Sequence, residues 1–309
     1  MAKLSVVISA FNEEEKIEDC LKSVKFADEI IVVDNQSSDK TASIAKKYTK
    51  HVFTRKNNLM LNINKNYGFS KASGNWILSL DADERIPSEL AEEIRFAVDN
   101  EQTTVNGYWI PRKNIIFGKW IQNEMWWPDY QLRLFKKGEG KFPEKHVHEY
   151  VEVAGETAKL KEPMIHENYQ TISQFMYKLN TIYTESEVEN FIKSGKQIQW
   201  YDAIRFPARD FIKIFFLQRG YKDGLHGLVL SLLQAFYMEI VFVKLWEKQG
   251  FPQYENKNFL QEFYRESKKI AHEFEYWFLT VFAEGSSNPI KKTVYKLWRK
   301  THAQEVNNS

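Results

Sequence analysis

The 309-residue chain holds a single cysteine, Cys20, so no intrachain disulfide can form and a reducing compartment is expected. Glycine and proline are sparse, at 13 and 8 residues, which excludes collagen-like and low-complexity architectures. Neither sign of charge dominates: 43 Lys and Arg face 41 Asp and Glu, a net of +2. That balance gives no general electrostatic reason to bind nucleic acid. No uninterrupted apolar run reaches the roughly 20 residues of a membrane span. The nearest, residues 228–243, is broken by Gln234 and Glu239. The first apolar stretch stops at Asn12 and three glutamates with no small-residue cleavage pattern, so a cytoplasmic protein without a signal peptide is expected.

What is present is an alternation of buried-strand and helix signals. Leu4 to Ala10 and Glu29 to Asp34 are β-prone and almost continuously apolar, Val52 and Phe53 form a short third strand, and residues 76–80 a fourth. Helical spacing lies between them, in Ile17, Leu21 and Val24 and again in Ile44, Ala45 and Tyr48. The order β-α-β-α-β-α-β predicts an α/β fold, mainly a parallel sheet flanked by helices. From Gly107 the pattern turns to strands punctuated by Pro111, Gly118, Pro128 and Pro143, and after His166 to long aromatic helices. The expected organisation is a catalytic domain over residues 1–165, a helical, basic-aromatic module over 166–300, and a frayed tail over 301–309.

Ligands of open α/β sheets bind beyond the carboxyl ends of the strands. Here those ends read Ala10-Phe11-Asn12-Glu13, then Asp34 with Ser37 and Asp39, then Asp81-Ala82-Asp83. A Gly-rich loop after the first strand is missing, which argues against a dinucleotide fold and a P-loop. An acidic rim repels a diphosphate unless a cation intervenes, so Asp81 and Asp83 are candidates for holding a hard divalent ion and a ribose; the bland alternative is a helix cap. Asp34 is a candidate base or ribose acceptor, or a turn cap.

Taken together, SVVISAFNEE, ADEIIVVDNQSSDKT, the segment NYGFSKASGNWILSLDADE from Asn66 to Glu84, WPDYQLRLF, Val147-His148-Glu149 and His166 resemble glycosyltransferase family 2, the inverting GT-A fold. The resemblance covers roughly residues 4–250 and is nearest to the branch of lipopolysaccharide core β-glucosyltransferases. It implies transfer of a sugar from a nucleotide-diphosphate donor, most simply a UDP-sugar, to an acceptor hydroxyl with inversion. Ala10, Phe11, Asn12, Glu13, Asp34, Ser37, Asp39, Asn66, Asp81 and Ala82 would then hold the nucleotide, and Arg133 the diphosphate. Asp83, with Asp81, would hold Mg2+ or Mn2+, and His148 and His166 are possible further ligands. For the general base Glu149 is the first choice and Asp129 the second; the place where many family members carry Glu-Asp reads His148-Glu149 here.

Residues 204–222 interleave Arg205, Arg209, Lys213, Arg219 and Lys222 with Phe206, Phe211, Phe215 and Phe216. That pattern suits either the interface of an anionic membrane or an ordinary amphipathic helix packed on the catalytic domain. Peripheral membrane contact through residues 204–246, at the inner face of the cytoplasmic membrane, and a lipid-linked or cell-envelope saccharide acceptor are expected. A polyisoprenyl-phosphate acceptor, or a non-catalytic sugar-nucleotide-binding protein, are the rivals.

Overall fold

The computed structural model describes residues 3–57, 61–144, 149–195 and 197–307. The chain forms two compact units, Met1–Trp120 with Trp126–Gln170, and Ile121–Met125 with Thr171–Ser309.

In the first unit β1 (Leu4–Ala10) is buried along its whole length, as an apolar run in the middle of a parallel sheet must be. β2 (Glu29–Asp34) and β3 (His51–Thr54) lie on one side of it and β4 (Trp76–Asp81) on the other. All four are parallel. They are linked through α1 (Ile17–Ser23), α2 (Thr41–Ala45) and α3 (Leu61–Lys71). Because side chains alternate along a strand, Val6 and Ile8 of β1 face a core with Ile17, Leu21, Leu90 and Ile94, while Val7 joins Ile31, Phe69 and Ile77 on the opposite face. Helix α3 crosses β1 closely at Gly68, where a Cβ would meet Val7 Cγ1 at 2.5 Å.

After β5 (Glu84–Arg85) and α4 (Ser88–Asp99) the chain adds β6 (Gly107–Ile116), β7 (Lys119–Trp120) and β8 (Asp129–Lys136). The short β9 (Gly140–Lys141) and β10 (Glu152–Val153) pair with each other, and β11 (Thr157–Lys159) and β12 (Met164–Tyr169) return to the large sheet. Its order is β3-β2-β1-β4-β8-β6-β12-β5. The half beyond β4 is mixed: β8 is antiparallel to β4 and β6, β12 parallel to β6, and β5 antiparallel to β12. β12 crosses residue 166 and belongs to the sheet, so the first unit ends at Gln170.

The second unit is helical. α5 (Ile172–Lys178) opens with a capping box of Thr171 and Gln174 and passes through a π-helical turn into α6 (Thr184–Lys193). α7 (Asp202–Ile212), α8 (Leu225–Lys248), α9 (Phe259–Gly285) and α10 (Pro289–Asn307) follow. The backbone expected to fray after residue 300 continues as helix to Asn307. Between α7 and α8 the buried Asp223 carboxylate accepts the Gln122 and Asn123 backbone N–H groups at 3.1 and 3.0 Å. Gly227 lets α8 approach this turn, since a Cβ there would lie 1.8 Å from the Gly220 carbonyl oxygen.

The phenyl rings of 204–222 are turned to protein. Phe206 packs on Phe191 and Phe242, and Phe216 lies 4.8 Å from Phe278; Arg205 pairs with Glu266. These contacts all lie within the helical unit. α8 extends beyond the apolar run at both ends, to 24 residues, and is the one described helix long and apolar enough to cross a membrane.

Candidate active site

The register of the parallel strands sets the site. Ala10 pairs with Asp34 and Ser9 with Asp81, so the three strand ends carrying polar residues lie level with one another. The loops that follow β1 and β2 are stitched together. Asn12 N–H donates to Ser37 Oγ at 3.0 Å and Ser38 N–H to Asn12 Oδ1 at 2.8 Å. Glu13 N–H donates to Thr41 Oγ1, and Glu14 N–H to Asp39 Oδ2. Asn12 and Gln36 take positive φ, 53° and 57°, a conformation that asparagine tolerates better than most residues. Phe11 protrudes, while Ala10 and Asp34 are buried, the Asp34 carboxylate accepting Ser37 N–H at 3.3 Å.

At the tip of β4 each carboxylate has its own environment. Asp81 Oδ1 meets Lys65 Nζ at 2.5 Å and Oδ2 meets Arg133 at 2.6 Å. Arg133 also contacts Glu84, a fully buried carboxylate, at 2.6 Å. Burial alone would raise the Asp81 pKa, but the Lys65 ammonium and the Arg133 guanidinium outweigh it and hold the carboxyl far below its usual range. Arg133 itself, whose desolvation opposes its charge, is held ionised by Glu84 and Asp81.

This network makes a stability prediction. Arg133→Met removes the guanidinium that Asp81 shares with the fully buried Glu84, leaving Asp81 with Lys65 alone and Glu84 with Arg112 at 3.6 Å, and unfolding free energy is expected to fall by about 3 kcal/mol in urea titrations at neutral pH. Since the folded Asp81 pKa lies below its unfolded value, its stabilisation is present above about pH 4 and disappears as pH falls further. The gap between wild type and variant is therefore expected to narrow in acid.

Asp83, two residues on, meets a different partner. Its Oδ2 lies 3.5 Å from His166 Nε2. Asn114, buried on β6, donates its amide to the Trp126 carbonyl and to Asp129, which leaves Asn114 Oδ1 as the acceptor for His166 Nδ1 at 2.6 Å. In the neutral ring Nδ1 therefore carries the proton, and the Nε2 lone pair faces the Asp83 carboxylate. Two electron-rich donors at that separation suit a cation. One carboxylate and one imidazole fit Mn2+ or Mg2+, the remaining positions being left to phosphate oxygens and water. Among the described residues no group of three or more His, Cys, Asp and Glu is placed to hold a metal. His148 lies outside the described residues.

The two candidate bases have different partners. Asp129 accepts Arg112 Nε at 2.7 Å, Asn114 at 3.2 Å and Gln131 at 2.7 Å. Although burial raises its pKa, Arg112 and the two amides bring it below the usual carboxylate range. Its lone pairs are engaged, and it orients Asn114 and through it His166. Glu149 Oε2 accepts Asn62 Nδ2 at 3.1 Å and Glu144 N–H at 2.8 Å. Asn62 stands one helical turn before Lys65, so α3 carries both the residue that orients Glu149 and the one that holds Asp81.

Two expected nucleotide contacts have other occupations. The Asn66 amide bridges the Phe142 backbone, donating to its carbonyl at 2.9 Å and accepting its N–H at 2.9 Å, and also reaches Glu144. Asp39 is occupied by Thr41 and Glu14 N–H, which keep its pKa low against burial. Both side chains shape the rim by holding backbone. Lys65, Glu84, Arg112, Asn114 and Asn62 were not singled out by sequence. The run Asp81-Ala82-Asp83-Glu84 and the α3 spacing of Asn62, Lys65 and Asn66 are the signals that carry three of them.

Residues 5–152 match the model of glycosyl transferase family 2. An uncharacterized glycosyltransferase of Rickettsia bellii is 30% identical over 259 residues, covering 79% of this chain and 86% of that protein. The lipopolysaccharide core biosynthesis glycosyltransferase LpsC of Rhizobium meliloti is 24% identical over 258 residues, 80% of this chain and 93% of its own. Among solved structures, S. aureus TarS is similar with a TM-score of 0.41 and 16% identity, covering 82% of this chain and 93% of that one. On the family model and the Rickettsia bellii relative, the chain belongs to glycosyltransferase family 2 and is a glycosyltransferase.

Proposed function

We propose that this glycosyltransferase moves a hexose from a UDP-sugar to a hydroxyl of a lipid-linked or cell-envelope saccharide, such as a lipopolysaccharide core, at the cytoplasmic face of the membrane. The observation that carries the reading is the Asp83–His166 pair beside the Lys65–Asp81–Arg133 cluster. The pair is a cation site; the cluster sits where the register places the end of β4. Asp34 and the stitched loops after β1 and β2 form the floor and rim for the nucleoside, with Ala10, Phe11, Asn12 and Ser37 lining it. Mg2+ or Mn2+ bound at Asp83 and His166 would offset charge on the leaving diphosphate.

The chain's own residues do the rest. Glu149 accepts the proton of the acceptor hydroxyl as that oxygen bonds to the anomeric carbon. The bond to the diphosphate breaks on the opposite face, and its electron pair leaves with the nucleotide. Asn62 and the Glu144 N–H hold the base in place. Asp129 and Asn114 fix the His166 tautomer.

The name of LpsC and the exposed Leu225, Leu232, Phe236, Val243 and Trp246 of α8 support an envelope acceptor and peripheral membrane contact. The test is a screen of UDP- and GDP-sugars for release of nucleoside diphosphate by purified protein, with Mn2+, Mg2+ or a chelator. Hydrolysis of a UDP-hexose that stops on chelation is expected. Failure with every donor, or release indifferent to chelation, contradicts the reading.

A further inference from the structure

The C-terminal helix carries a second surface that the catalytic reading does not use. Along α10, Ile290, Val294, Leu297 and Trp298 are exposed to 74%, 40%, 58% and 59%. At helical spacing these four residues fall on one stripe. The helix packs on α9 through its other side, where Tyr295 meets Phe282 at 5.8 Å and Arg299 lies over the Tyr276 ring. Lys291, Lys292, Lys296, Arg299 and Lys300 belong to the same helix, and no Asp or Glu appears between Pro289 and Gln304.

We infer that α10 is an amphipathic anchor that lies in the interface of an anionic lipid bilayer. An apolar stripe with tryptophan at one edge, on a helix whose charged residues from Pro289 to Gln304 are all basic and whose one acid is Glu305 near its end, matches a surface that is apolar beneath and negative above. A protein partner or a second copy would have to supply a concentrated acidic patch; a bilayer of anionic lipid supplies one everywhere. Each basic residue near such a surface strengthens binding by about fivefold, and the stripe adds an apolar term that salt does not screen. The inference rests on α10 alone and goes beyond the sugar-transfer reading.

The test uses full-length protein and sedimentation with vesicles of phosphatidylethanolamine and phosphatidylglycerol, against vesicles of phosphatidylcholine. Wild type is expected to bind the anionic vesicles selectively and less tightly as salt is raised. Leu297→Gln with Trp298→Gln, and separately Lys296→Gln with Lys300→Gln, replace exposed side chains. Each pair is expected to weaken binding by about tenfold or more, with circular dichroism and donor hydrolysis unchanged. Equal binding to both vesicle types, or variants that bind like wild type, overturns the inference. So does a concentration-dependent dimer that the Leu297/Trp298 variant abolishes, because the stripe would then be covered by a second copy. Loss of donor hydrolysis in wild type would instead count against the catalytic reading alone.

Discussion

Asp83→Ala is expected to lower sugar transfer by about 10²–10³-fold at saturating Mn2+, the range seen when one stabiliser of developing charge is removed. The reason lies in the division of labour at the tip of β4. Asp81 is committed to Lys65 and Arg133, and Glu84 to Arg133 and the Asp81 N–H. Asp83 alone of the three faces an imidazole nitrogen whose lone pair is directed at it. Removing its carboxylate takes away one of the two donors of the proposed cation site while the ion pairs that hold β4, β8 and α3 together remain. The melting temperature is therefore expected to stay close to that of wild type. Steady-state kinetics and a thermal melt on the same preparation check both halves, and retained turnover in Asp83→Ala contradicts the assignment.

Glu149→Gln is the second large effect, expected to reduce kcat by about 10²–10⁴-fold, the contribution of a positioned general base. Glutamine keeps the size of the side chain and an oxygen to accept from Asn62 and Glu144 N–H, so substrate affinity should change little. Asp129→Asn should behave differently. Its carboxylate is held at low pKa by Arg112 and two amides, which makes it a weak base, and its loss disturbs the orientation of Asn114 and His166. A moderate fall in kcat, with reduced stability, is expected there. Measuring kcat for both variants across neutral pH separates them. Full turnover by both Glu149→Gln and Asp129→Asn would mean that the acceptor arrives ionised, as a polyisoprenyl phosphate does.

How much of this the sequence carries depends on the range of the interactions involved. β1, β2 and β4 are legible because continuous apolar runs of strand length have few other uses, and the placement of Asp34 and Asp81 at the strand ends, with Asp83 just beyond, follows from where those runs stop. The mixed half is less legible. Whether Arg112 stands opposite Asp129, and His166 opposite Asn114, depends on register between strands far apart in sequence, and a slip of one residue would turn those side chains to the other face. The partners of Asn66 and Asp39 are hard to read for the opposite reason. A short polar side chain in a loop can bind backbone as readily as ligand, and both do so here. In 204–222 the basic-aromatic pattern fits lipid and protein equally, and the sequence does not show which rings meet one another. For α8, composition locates the apolar centre but not the helix ends, which run to Leu225 and Lys248.

The most direct measurement is Mn2+ binding followed by electron paramagnetic resonance in the presence of UDP, on wild type, Asp83→Asn and His166→Ala. The account predicts that UDP and wild-type protein together deplete the free Mn2+ signal, and that each substitution weakens this by at least about tenfold. Wild-type binding by both variants would contradict it.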